Sequence, residues 1–173
     1  MATIPATQSF LAGERVTASK LNAAAKTPLD FLMAPPRCKV RQAGTQQSIT
    51  SGTETQISFD TEMYDNDNMY ASSAADRITI NTAGYYLVVG VYSFANGSNV
   101  TGYRRMSVYA NGTLLASNTA PPVATNQYME ASGIVYFNAG DNANLKVIHT
   151  AGVAISGATT AYYPALAVHY LSQ

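Results

Sequence analysis

The sequence predicts an all-β fold of the sandwich or jelly-roll kind, and three observations predict it. Ile78–Phe94 reads as short alternating strands rich in Tyr and Val, broken at Ala83-Gly84, which suits a pleated sheet. Turn signals recur at Asn111-Gly112, Ala139-Gly140-Asp141 and Ser156-Gly157; Asn-Gly marks a tight hairpin because both residues tolerate positive φ. After residue 30 there is no helical period of useful length, and no internal repeat is visible.

Taken in order, residues 1–36 read as an extended arm containing a short helix. Thr17 is placed to cap Ala18–Lys26, an Ala-rich stretch carrying Leu21, and Pro28 is expected to end it. Phe10, Leu11, Leu29, Phe31, Leu32 and Met33 are too sparse and aperiodic to build a core of their own. An arm with such uncovered residues needs a partner surface. Pro35-Pro36 then forms a stiff spacer before a single sandwich domain spanning 37–173. Its strands are expected near Cys38–Gln42, Gln56–Phe59, Arg77–Asn81, Tyr85–Phe94, Tyr103–Ala110, Thr113–Ala116, Tyr128–Phe137, Ala143–Thr150 and Ala161–Leu171.

Two of these strands are apolar on both faces. Tyr86, Val88, Tyr92 and Phe94 alternate with Tyr85, Leu87, Val89 and Val91, and Leu166, Val168 and Tyr170 alternate with Ala165, Ala167 and Leu171. An antiparallel sheet with one wet face should alternate apolar with polar, so both faces here are expected to be covered. In a chain of 173 residues a second subunit is the simplest cover. That assigns Tyr85, Tyr86, Tyr92, Val168 and Tyr170 to a subunit interface or to the core.

Charged residues make up only 12% of the chain, while Tyr is abundant at 12. That composition suits a covered or assembled surface, since a neutral, weakly charged exterior self-associates. Residues 1–42 carry Arg15, Lys20, Lys26, Arg37, Lys39 and Arg41 against Glu14 and Asp30, and the remainder is acidic. The cations are scattered, which favours docking on an acidic protein neighbour over a nucleic-acid footprint. Cys38 is the only cysteine, so no intrachain disulfide exists. No apolar run is long enough to span a bilayer, and Met1–Phe10 lacks the pattern of a signal peptide, so cytoplasmic synthesis without membrane insertion is expected. The sequons at Asn96, Asn99 and Asn111 then read as loop composition.

The order Thr82-Ala83-Gly84-Tyr85-Tyr86, Gly102-Tyr103-Arg104, Asn111-Gly112, Ala139-Gly140-Asp141 and an apolar last strand resembles the trimeric jelly roll of complement globular heads and tumour necrosis factor. It is most similar to the version in structural proteins of tailed bacteriophages, where the segment Ile57–Tyr70 also fits. Separately, Ser9–Asn22 is similar to an opening motif of phage tail and fibre proteins, found at their virion-attached end. The last strand departs from the Phe and Gly pattern of complement heads. The resemblance implies a homotrimer located in the virion as a tail, baseplate, fibre or capsid-decoration protein. Phe10, Leu11, Leu21, Phe31 and Leu32 would anchor it to other virion proteins. A host cell-surface glycan or protein would be a secondary partner.

Catalytic and metal signals are sparse. Asp60, Glu62, Asp65 and Asp67 have calcium-loop spacing but lack the central Gly and distal Glu of a hand-type site. Some complement-head relatives bind calcium; against that, a solvated or subunit-facing loop is the plainer reading. His149 and His169 lie in expected strands without a nucleophile elbow, and no phosphate-cradling Gly-rich loop precedes a helix. No enzyme activity, metal or cofactor is therefore expected. Arg104 and Arg105 should point to opposite faces of one strand, one exposed and one paired with an acid such as Glu130. Asn96, Asn99 and Tyr103, with Asn126 and Tyr128, are the residue types of adaptable binding loops and are the candidate host contacts. Two other readings stay open: a dedicated carbohydrate-binding module for receptor recognition, and a small polysaccharide hydrolase.

Overall fold

The computed structural model describes every residue except 1–3, 7, 45, 98 and 159–162. The arm carries a helix in three pieces: α1 (Ala18–Leu21), a π-helical turn (Asn22–Lys26) and α2 (Thr27–Met33). Thr17 caps it as expected, its Oγ1 accepting from the Lys20 N–H at 3.2 Å. Pro28 does not end it. In the widened turn the Thr27 N–H reaches back to the Asn22 carbonyl, and Pro28 falls in the first turn of α2, where a missing N–H costs least. No residue of this longer helix is buried. Leu21, Leu29, Leu32 and Met33 lie at one-face spacing and are all exposed, while Phe31 points the other way.

Among the described residues twelve strands follow: β1 (Arg37–Arg41), β2 (Ser48–Ile49), β3 (Thr55–Gln56), β4 (Thr61–Asp65), β5 (Ile78–Thr79), β6 (Gly84–Phe94), β7 (Arg104–Ala110), β8 (Thr113–Ala120), β9 (Gln127–Phe137), β10 (Asn142–His149), β11 (Ile155–Ser156) and β12 (Ala165–Ser172). One sheet has the order β4-β1-β12-β6-β9. The other has the order β3-β10-β7-β8 with β5 beside β10, and β11 pairs with β2 at one side. The sandwich is closed by Phe59, Tyr86, Val88, Tyr92, Phe94, Met106, Val108, Phe137, Leu145, Leu166 and Val168, all buried. The two sheets approach closely at Gly90, where a Cβ would stand 2.6 Å from Val108 Cγ2.

The expected strands are present with shifted ends. The strand beginning near Gln56 runs over Thr55–Gln56, yet the Ile57 N–H still bonds to the Leu145 carbonyl and the Phe59 N–H to the Ala75 carbonyl. The hairpin strand after Asn111-Gly112 runs on to Ala120. Ala161 and Tyr162, expected to open the last strand, lie outside the described residues, and that strand starts at Ala165. β2, β4 and β11 were not expected; two are only two residues long, and β4 hides in the acidic segment.

Candidate functional surface

The outer face of the first sheet is built from the second alternate set of β6. Tyr85, Leu87, Val89 and Val91 stand there, flanked in register by Ala165 and Ala167 of β12 and by Ile134 and Tyr136 of β9. Their opposite numbers, Tyr86 and Tyr92, are wholly inside, as is Val168. Of the five residues assigned to interface or core, these three are therefore core. Tyr86 donates its hydroxyl to the Thr82 carbonyl at 2.7 Å, which satisfies its only polar atom beyond the backbone. Tyr85 is exposed and meets Tyr136 edge-on at 5.2 Å. Tyr170 sits between Tyr86 and the arm's Phe31, edge-on to both at 5.4 and 5.3 Å.

Toward β1 the same face becomes basic. A cleft of about 230 Å³ is lined by Lys39, Arg41, Met63, Val91, Tyr128, Tyr163 and Ala165. The Arg41 guanidinium lies 4.7 Å from the Tyr163 ring centre, and its Nε is shut away from solvent with no acceptor among the described residues. Among the described residues neither Lys39 nor Arg41 has a carboxylate partner. Nearby, His169 Nε2 and Tyr64 Oη share a 2.8 Å hydrogen bond, and Arg37 lies over the Tyr64 ring. Burial, with Arg37 and Lys39 adding to it, holds the His169 imidazole below its ordinary pKa.

The second sheet's outer face differs. There Glu54 accepts from Arg105 Nη2 at 3.2 Å and from the Tyr109 hydroxyl at 3.1 Å, with Lys146 Nζ at 3.9 Å. Arg105 is thus partnered by Glu54, whereas Glu130 was the acid expected for one of the two arginines. Arg104 turns inward with no acid at all. Its Nε donates to Asn96 Oδ1 at 2.8 Å, Nη1 to the carbonyls of Thr101 and Tyr103, and Nη2 to the carbonyl of Asn99. One fully buried guanidinium thereby holds Asn96, Asn99, Thr101 and Tyr103 around itself, since its planar donor fork matches several oxygen acceptors at once. Burial pulls its pKa down.

This arrangement corrects the host-contact expectation for Asn96, which is buried and bonded to Gln127 Oε1 and the Val123 carbonyl as well as to Arg104. Asn99 and Tyr103 are half-buried members of the same scaffold: Asn99 donates to the Ala151 carbonyl, and the Tyr103 N–H donates to Thr150 Oγ1. Gly102 is required beside them, with φ +75° and only 2.2 Å between a notional Cβ and the Thr150 carbonyl oxygen. Beneath the loop, His149 is buried; its Nε2–H donates to the Ile49 carbonyl at 2.9 Å while Nδ1 accepts from the Ala151 N–H at 3.3 Å. Both nitrogens are satisfied only in the neutral ring. Burial first, and Arg104 after it, lower its pKa, against the opposing hydrogen bond to Ile49.

The carboxylates of the acidic segment are engaged by N–H and hydroxyl donors of the chain. Asp60 accepts from the Ala43 and Gly44 N–H groups, Asp65 from those of Asp67 and Tyr70, and buried Asp67 from the Thr82 hydroxyl. These carboxylates organise turns at the edge of β4, and Glu62 is exposed. Among the described residues no group of three or more His, Cys, Asp or Glu is placed to hold a metal. Cys38 is buried, and that burial, with Asp65 and Glu62 beside it, pushes the thiol far above its ordinary range.

The arm meets the body at one joint. Asn66 accepts from the Arg37 N–H and donates to the carbonyls of Ala34 and Pro35, while the Tyr170 N–H donates to the Pro36 carbonyl. Phe31 and Leu32 line a cleft of about 130 Å³ with Pro35, Tyr170 and Leu171. Phe10, Leu11 and Leu21 stand free of the body and are exposed, as Leu32 largely is at 72%. Ahead of the helix, Glu14 pairs with Lys20 and also accepts from the Leu11 N–H, so the segment has local order without a core.

Two antiparallel sheets in these strand orders, packed face to face, make this chain a tumour-necrosis-factor-like jelly roll. It superposes on the crystal structure of murine APRIL at pH 5.0 with a TM-score of 0.58 and 12% identity, covering 79% of this chain and 98% of that one. At the level of sequence it is similar to an uncharacterized protein of Acanthamoeba polyphaga mimivirus, 33% identical over 118 residues. That match takes in 63% of this chain and 49% of the relative, so the chain spans about half the length of the curated relative it matches. No family model matches the sequence.

Proposed function

We propose that this protein is a non-enzymatic structural component of a virion: a homotrimer of jelly rolls held in the particle of a tailed phage by its N-terminal arm. The observation that carries the reading is the outer face of the β6 sheet. Leu87, Val89, Val91, Ala167 and Ile134 form an apolar surface that no layer of the described residues covers. Such a surface on a soluble body marks a contact with another protein. The arm supplies a second surface of the same kind, since its helix contributes no buried residue. The mimivirus relative supports a viral setting, and the similarity of Ser9–Asn22 to phage opening motifs supports the finer assignment to a tail, baseplate, fibre or capsid decoration.

In this reading Phe10, Leu11, Leu21 and the exposed edge of Leu32 insert into a neighbouring virion protein, and Phe31 orients the helix against Tyr170. A dedicated glycan-recognition module draws no support from Asn96, whose side chain is inside. The test is deletion of residues 1–36. The truncated chain should remain folded and oligomeric, judged by circular dichroism and sedimentation, yet fail to enter particles. Incorporation at full occupancy would overturn the anchoring role, and sedimentation of the whole chain as a monomer at micromolar concentration would overturn the trimer.

A further inference from the structure

On the outer face of the first sheet, one row of residues runs Arg41, Ala165, Val91, Glu130 across β1, β12, β6 and β9. Its ends carry opposite charges and its middle is apolar. With strands about 4.8 Å apart, the end residues stand about 14 Å from each other at Cα, and no ion pair joins them within the chain. From the basic end, a cleft bordered by Lys39 and Arg41 runs across Ala165 and Val91 to Tyr128, with Tyr163 and Met63 as further walls, and among the described residues the enclosed Arg41 Nε has no acceptor. At the other end Glu130 projects into solvent, steadied by the Tyr128 hydroxyl at 3.3 Å.

A ring of identical subunits closes through a head-to-tail contact, in which one patch meets a different patch on the next copy. A three-membered ring cannot be built from two-fold contacts, so in the homotrimer proposed above the basic edge of this face would meet the acidic edge of the next copy. We infer that the oligomer closes by seating Glu130 of each copy in the Lys39–Arg41 cleft of the next, so that the cleft is completed by a second copy of this chain. The inference rests on the oligomer proposed above and names its register. Desolvation by the surrounding Val91, Ala165 and Tyr163 makes the pair specific, because a like charge in that place would be repelled with little solvent to screen it.

The experiment is a charge swap in the full chain, read by analytical ultracentrifugation over a concentration series, with circular dichroism to confirm folding. Glu130→Lys should weaken association by roughly tenfold or more, and Glu130→Gln should weaken it less. Combining Glu130→Lys with Lys39→Glu and Arg41→Glu should restore association, because the pair is re-formed with its signs exchanged. Full association of Glu130→Lys would overturn the register while leaving an oligomer standing. Weakening without rescue by the swap would overturn the pairing of these particular residues. Wild-type chain that stays monomeric would instead remove the oligomer on which both rest. A cleft that serves a small anion would show as citrate-dependent melting, lost in Arg41→Glu, with Glu130→Lys fully associated, and that result also overturns the inference.

Discussion

The two outer faces of the sandwich solve opposite problems with the same kind of strand. On the second sheet Arg105 and Lys146, with the Tyr109 hydroxyl, converge on the Glu54 carboxylate, although Arg105 Nε itself finds no acceptor among the described residues. On the first sheet the charges are left at the edges and the middle is Leu87, Val89 and Val91. In the oligomer proposed above, the free face and the face that meets a partner would be distinguished by where their carboxylates stand, more than by hydrophobicity alone. Buried Arg104 adds a third case, a cation satisfied wholly by neutral acceptors.

The largest expected effect breaks the comparison at its centre. Val89→Asp should leave a folded subunit and weaken association by about 30-fold or more, since a central interface residue is worth roughly 2 kcal/mol or above and the ring repeats the loss at each contact. The matched change Ser117→Asp, on the exposed side of β8, should leave sedimentation unchanged. Equal behaviour of the two variants would mean that the first face is not an interface. Tyr86→Asp is the wrong probe, because Tyr86 is core and its loss would unfold the chain.

Next comes Arg104→Met, which keeps the apolar stem and removes every donor. Asn96, Asn99 and the carbonyls of Thr101 and Tyr103 would be stranded, at a cost of about 3 kcal/mol in chemical denaturation. Oligomer dissociation, measured where the variant is still folded, should not move. A shift in association comparable to that of Val89→Asp would merge two regions that are separate here.

The contrast of faces was half legible in the sequence. The two-sided apolar pattern of β6 and β12 shows in strict alternation, and Asn111-Gly112 announces its hairpin through local φ preference alone. Asn96 was read as a surface residue because loop composition says nothing about a guanidinium arriving from the next strand. Arg104 and Arg105 are adjacent, so alternation predicted their divergence, but Glu54 reaches Arg105 across 51 positions and carries no sequence signal. β4 was missed because its carboxylates mimic a metal loop; only the structure shows their oxygens occupied by the N–H groups of Ala43, Gly44, Asp67 and Tyr70. The helix passed Pro28 because a π turn relieved the clash that ordinarily stops one.

A gentler test uses acid. His149 in the folded chain titrates below its ordinary value, so between that depressed pKa and about 6.5 the unfolded chain binds the extra proton. Stability is then full above pH 6.5 and falls as the pH drops through the folded value. His169 shifts in the same direction from the other face. His149→Gln can still donate to the Ile49 carbonyl and accept from the Ala151 N–H, so it should flatten part of the slope between pH 5 and 7 in urea titrations. His169→Gln should flatten the remainder. An unchanged slope in both variants would remove histidine as the cause.

The smallest effect belongs to Glu54. It is partly exposed, and its contacts to Arg105, Lys146 and Tyr109 lie at a surface where water and salt screen the charges. Exposed pairs of this kind contribute at most about 1 kcal/mol, and less as ionic strength rises. Glu54→Gln keeps an acceptor for the Tyr109 hydroxyl and removes only the charge, so the denaturation midpoint should move slightly at low salt and scarcely at all at high salt. Glu130→Gln should behave in the opposite sense, leaving the stability of the isolated subunit alone and lowering association. If instead Glu54→Gln dissociated the oligomer while Glu130→Gln only trimmed stability, the free face and the face that meets a partner would have to be exchanged.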